Sequence, residues 1–313
     1  MTLPSQPRIS TWIKRLFITK DEPRLRAGWR LIVHAFFLLV AVMLFTSLVS
    51  LILTGLSSSA QVMETLNSSQ IAMAFSTIVS LGAITLSVYL ARLYIDRRSF
   101  ASLGITWNQQ SFGDLLFGFV LPGVLMGAIY FIEKAVGWLQ PQSLTYQNQP
   151  FLMLLGNLAL WLVFFLAVGW SEELLSRGYW MQNLIEGLNM PAAVILSSLF
   201  FGLLHLSNPN ITANAIIGLT LSGVFFAYSY LRTRNLWLPI GLHVGWNFFE
   251  GVIFGFPVSG ISTYSLIQSH FSGPTLWTGG AFGPEGGLIL LPTLAAGMLL
   301  IHLYTREPVE AEK

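Results

Sequence analysis

Apolar runs of about twenty residues recur along this chain, near 31–56, 71–94, 113–138, 151–171, 191–206, 211–231, 236–254 and 286–304. A run of that length spans the hydrocarbon core of a bilayer as an α-helix. The composition agrees: 54% of the 313 residues are hydrophobic and 10% are charged, where a soluble domain carries about a quarter charged residues. The expected fold class is all-α, a polytopic transmembrane helical bundle of about eight spans. Cysteine is absent, which excludes disulfides and Cys-ligated zinc. The net charge of +2 gives no reason to expect nucleic acid; membrane lipid is the expected surrounding.

Basic residues orient the spans. Arg8, Lys14, Arg15, Lys20, Arg24, Arg26 and Arg30 precede or open the first run. The stretch is too long for the basic region of a signal peptide, and no small-residue cleavage site follows. Under the positive-inside rule it is a cytoplasmic segment, 1–30. Arg92, Arg97 and Arg98 follow the second run, Arg232 and Arg234 the sixth, and Arg306 the eighth. All then fall on the cytoplasmic face, with both termini inside, and a bacterial plasma membrane is the expected location. The polar linkers 57–70 and 139–150 suit the outer face. Residues 255–285 hold Phe256-Pro257, Gly273-Pro274 and Gly283-Pro284, turn signals of an outer or partly re-entrant loop. The expected organisation is the basic segment, N-terminal helices over 31–149, a core over 150–253, then the long loop, last helix and tail over 254–313. No internal repeat stands out, which weakens an inverted-repeat transporter reading.

Ionisable groups inside such apolar runs are costly and mark function. The fourth run ends Gly169-Trp170-Ser171-Glu172-Glu173, with Arg177 four residues on. Neighbouring glutamates on a helix point about 100° apart. Glu173 and Arg177 share one face as an ion pair, which leaves Glu172 free to face a cavity as a general base. The plainer alternative is that all three merely end a helix at the surface. The chain then breaks at Gly187–Asn189 and restarts at Pro191. In an antiparallel hairpin Glu172 and His205 both lie about 24–26 Å from that turn. The break Ser207-Asn208-Pro209-Asn210 after His205 is tolerable within the membrane only beside a protein or water cavity. His243 and Asn247, one turn apart, face the same way. Their imidazole and carboxamide suit an oxyanion, a metal, or plain helix–helix hydrogen bonding. Depth is a conflict: His243 sits about 14 Å beyond Arg234 by helix rise, and Glu172 meets that level only if its helix tilts or projects. Glu133-Lys134 reads as an interfacial pair. Glu250, one turn past Asn247, has an open role.

Glu172-Glu173-xxx-Arg177, Phe201-xxx-His205 and His243-xxx-Asn247 together resemble the three motifs of the CPBP intramembrane protease family, the CAAX-protease and bacteriocin-processing group also labelled Abi. The resemblance covers residues 150–253, about a third of the chain. It implies an endopeptidase acting near the cytoplasmic membrane surface, in a cavity open to that side. Glu172 and His205 would activate water, and His243 with Asn247 would hold the oxyanion, while Glu173 and Arg177 support the site. The implied cofactor is a divalent metal such as zinc, held by Glu172, His205 and His243, or none. Peptide or lipidated-protein segments are the implied substrates. No His-Glu-x-x-His, Gly-x-Ser-x-Gly or Gly-x-Gly-Asp occurs, which disfavours the other intramembrane protease types. The competing readings are a catalytically inactive scaffold or immunity factor of the same fold, and a proton-coupled transporter using Glu172, Glu250 and the histidines.

Overall fold

The structure, a computed structural model, describes residues 16–19, 22, 24–56, 69–147 and 149–306. Arg8, Lys14, Arg15, Lys20, most of the 57–70 linker and the tail beyond Arg306 lie outside the described residues. Apolar helices dominate. α1 spans Ala27–Leu56 and α2 Ser69–Leu90, which widens into a π-helical turn over Ala91–Ile95. α3 spans Gln109–Ala135, and α4, Phe151–Glu173, runs on through a π-helical stretch, Leu174–Met181, into α5, Gln182–Gly187. α6 is Met190–Leu204, α7 Ala213–Thr233, and α8 Trp237–Asn247, extended by π turns over Phe248–Ile253. A one-turn α9, Thr275–Thr278, and α10, Leu290–Tyr304, complete them. Among the described residues five helical stretches are long and apolar enough to cross a membrane: Ala27–Ile52, Ala72–Ile95, Gln109–Ala135, Phe151–Gly187 and Ala213–Thr233; Met190–Leu204 and Leu290–Tyr304 are shorter apolar helices.

The expectation of an all-α chain misses one feature. The two linkers placed on the same face pair with each other: β1, Leu139–Leu144, runs antiparallel to β2, Ile267–Phe271, with Leu139 opposite Phe271. Pro141 cannot donate to a ladder, and the register slips between Pro141 and Ser143.

α8 is central. Every residue from Leu238 to Asn247 is buried. It lies so close to α3 that a Cβ on Gly241 or Gly245 would collide with the carbonyl oxygens of Leu115 and Phe119. Small residues that let helix backbones touch drive packing where lipid removes the hydrophobic contrast.

The described basic residues gather at one end of the bundle, Lys134 and the buried Arg177 excepted. There Arg30 bridges Asp96 (3.5 Å) and Glu186 (2.7 Å), and Arg98 also meets Glu186 (2.6 Å). These ion pairs tie α1 and the end of α2 to the α5–α6 turn. The depth conflict dissolves here. Leu236, just before α8, packs against Gly178, nine residues before Gly187. The α4–α5 helix therefore overshoots the start of α8 by about 13 Å, and Glu172 and His243 come level.

Candidate active site

The α5–α6 hairpin forms as its sequence dictates. Asn189 caps α6, its side-chain oxygen accepting from Ala192 N (2.9 Å), and Pro191 stands in the first turn, where a missing N–H costs nothing. His205 ends the helix. Its Nδ1 lies 2.8 Å from the Phe201 carbonyl. A carbonyl only accepts, so Nδ1 carries the hydrogen, and the tautomer with that one hydrogen presents Nε2 as an acceptor. The loop after it is mostly exposed, with Asn208 half-buried, and two contacts tie it to the protein. Asn208 donates to the Ser259 carbonyl (3.0 Å), and Gly260 sits so close to the Pro209 carbonyl that any side chain there would clash.

Glu172, His205 and His243 converge. Glu172 Oε2 is 3.8 Å from His205 Nε2 and 3.9 Å from His243 Nε2. Those separations are too long for direct hydrogen bonds, and they leave the carboxylate and both ring nitrogens facing a common point. Asn247 lines the same cavity of about 410 Å³.

Glu173 turns the other way and is fully buried. Its Oε1 meets Arg177 Nη1 and His243 Nδ1, each at 2.9 Å. Arg177 also donates to the Gly223 carbonyl (2.9 Å) and is bracketed by the rings of Phe201 and Phe226. Phe226 in turn stacks on the His243 ring, 5.1 Å away and 3° from parallel. Glu173 is thus more than a partner for Arg177: it holds His243 by the nitrogen remote from the cavity. Both site-bearing helices widen into π turns immediately after these residues, Leu174–Met181 after Glu173 and Phe248–Ile253 after Asn247, a common feature of functional helices.

Beyond the polar end the cavity is apolar, lined by Leu38 and Val42 of α1, Met73 and Thr77 of α2, and Trp161 and Phe165 of α4. Met73 and Thr77 belong to the first half of α2, remote from the basic end. The cavity therefore extends away from that end, where the family resemblance implies one open toward the cytoplasm.

Sequence reasoning missed Glu285 and Ser259, which line the same cavity. Glu285 is buried, and its carboxylate accepts from the Ser259 hydroxyl. One signal was available: Glu285 is the only acidic residue between Gly255 and Ile289. Glu250 is fully buried behind Asn247. Among the described residues no group of three or more His, Asp or Glu side chains is disposed to hold an ion, the Glu172, His205 and His243 set included.

Residues 154–249 match the family model described as Type II CAAX prenyl endopeptidase Rce1-like. This stretch is similar to the Rce1-like family. The chain is also similar to the "Putative membrane peptidase YdiL" of Bacillus subtilis (strain 168), with 32% identity over 78 residues. That alignment covers 25% of this chain and 30% of the relative, under a third of its length. No solved structure matches. The matched stretch contains Glu172, Glu173, Arg177, His205, His243 and Asn247, whereas Glu285 lies outside it.

Proposed function

We propose that the chain is an intramembrane endopeptidase that hydrolyses a peptide bond near the cytoplasmic membrane surface. The observation that carries this is the convergence of Glu172 Oε2 with the Nε2 atoms of His205 and His243 at the polar end of an apolar cavity. Glu172 and His205 both present acceptors, so together they hold a water by its two hydrogens with a lone pair toward the substrate carbonyl. Glu172 takes the proton as the water attacks. Asn247 donates its amide N–H to the oxyanion. His243 donates through Nε2 while Nδ1 faces Glu173, so the donating ring carries both protons and Glu173 is its counter-ion. Glu173 and Arg177 are positioning residues for that ring.

The bundle has about eight spans in this reading, with α8 and its π extension as the most buried. The basic end faces the cytoplasm, following the positive-inside rule. His243 lies six residues beyond Trp237, about 9 Å. Trp237 packs edge-on to Trp107 at 4.8 Å, an aromatic step suited to the membrane–water interface. A lipidated or amphipathic substrate segment would lay its apolar part into the cavity along α1, α2 and α4. In this reading the chain's own side chains supply the base and the oxyanion donors, without a metal.

The test is cleavage of a quenched lipidated-peptide library by detergent-purified protein, wild type beside Glu172→Gln, with and without chelator. Cleavage that survives chelator and disappears in the variant is the expected result. A folded wild type that cleaves nothing would leave the scaffold reading instead.

A further inference from the structure

The cavity holds two carboxyl groups of different origin. Glu172 comes from α4, inside the stretch similar to the Rce1-like family, and Glu285 from the loop that closes the bundle. Glu285 is 5% exposed, accepts from the Ser259 hydroxyl and lines the site cavity.

The loop is shaped to hold it there. Ser259, which donates to Glu285 Oε2, has φ of +46°, and Gly260 and Gly283 have φ of +84° and +99°. A serine in the left-handed region is uncommon and belongs to conformations that the surroundings impose. Here Asn208 fixes the Ser259 carbonyl, and Gly260 N donates to the Phe282 carbonyl (2.8 Å). On the other side, Gly218 of α7 lies directly against the Glu285 carbonyl, where a Cβ would clash. The titratable groups that act on Glu285 are His205 and His243 of the site, with Glu250 behind Asn247. Glu172 shares its cavity. Burial pushes the Glu285 carboxyl above the usual carboxylate range, and the Ser259 hydroxyl and the two imidazoles act in the opposite sense.

Peptide hydrolysis makes two demands on protons. The water must lose one, and the departing amine must gain one, because an amide nitrogen does not leave as an anion. Glu172 meets the first. We propose that Glu285 is a further catalytic residue, the acid that protonates the leaving amine in the reaction proposed above, on which this role rests. The water oxygen bonds to the carbonyl carbon as its proton passes to Glu172. The C–N bond breaks as the Glu285 proton passes to nitrogen. One proton returned from Glu172 to Glu285 through solvent restores both groups, and no other reactant is needed. Separate acid and base carboxyls from separate elements let each be set by its own surroundings.

The test uses the full chain with two substrates: a peptide found in the cleavage screen, and a p-nitrophenyl ester of its acyl segment, whose leaving group departs without a proton. Glu285→Gln is expected to slow kcat on the peptide by about 100-fold or more, within the range for general acid catalysis, and to slow the ester by less than about tenfold. Glu285→Asp is expected to recover part of the peptide rate, and Glu172→Gln to slow both substrates. Equal losses on both substrates for Glu285→Gln would reduce Glu285 to a structural role, and an unchanged peptide rate would remove it from the reaction. A folded wild type that cleaves neither substrate would sink the peptidase reading, and this role with it.

Discussion

Arg177 is 1% exposed, and what surrounds it is one carboxylate, one carbonyl and two aromatic faces. A buried ion pair adds little net stability against an apolar pair of the same shape, but breaking one strands a charge. Arg177→Leu strands Glu173 and is expected to cost about 3–5 kcal/mol, read as a lowered midpoint of urea or thermal unfolding in detergent. Glu173→Gln keeps the shape but loses the charge that holds His243, and it strands Arg177 in turn, so a stability loss of the same kind is expected beside the effect on cleavage. Cleavage is expected to fall by about 10- to 100-fold, as for other hydrogen-bonded partners that orient a functional histidine. The loss should appear in kcat with KM little changed, since Glu173 is not in the cavity. A Glu173→Gln enzyme with wild-type kcat would show that His243 is positioned by packing on Phe226 alone.

Elements meet where glycine permits. α8 touches α3 through Gly241 and Gly245, with Gly118 of α3 equally tight against the Leu238 carbonyl. A methyl group there must push two backbones apart, and α8 carries His243 and Asn247. Gly245→Ala is therefore expected to lose about 1–3 kcal/mol and to impair cleavage. Gly156→Ala is the control, because a Cβ on that α4 glycine meets nothing within 4 Å. It should be neutral or stabilising by up to about 1 kcal/mol, the helix propensity difference. Parallel unfolding curves decide the matter: equal effects at the two positions would mean that the α3–α8 contact does not set the stability.

Across the whole molecule, Arg24, Arg30, Arg92, Arg98 and Arg232 sit at one end, and the β1–β2 pair sits at the other. The chain has no cysteine, so single cysteines can report orientation without background. In intact cells a membrane-impermeant maleimide is expected to label Gln142→Cys, on β1, and to leave Leu188→Cys, at the α5–α6 turn, unlabelled until the cells are opened. The reverse pattern would invert the bundle and move the proposed site to the other half of the membrane.

The sequence by itself determined that the chain is mostly apolar helix and which polar residues share a helix face. Both are local properties: an apolar run of about twenty residues needs no neighbour to read as a span, and Glu173 with Arg177, or His243 with Asn247, share a face by helical period alone. The break at Gly187–Asn189 and the level match of Glu172 with His205 were legible in the same way. Tertiary structure decided what depends on segments far apart in the chain. Glu173 reaches His243 across 70 residues, and that pairing exists because α4 overshoots the start of α8, a relation of depths that no spacing encodes. β1 finds β2 across a separation of more than 120 residues. Glu285 joins the cavity because its loop folds back over the bundle and packs on Gly218. A lone acid in a glycine-rich loop carries no period, so only the packing of that loop against α7 and the 205–212 turn brings its carboxyl to the histidines.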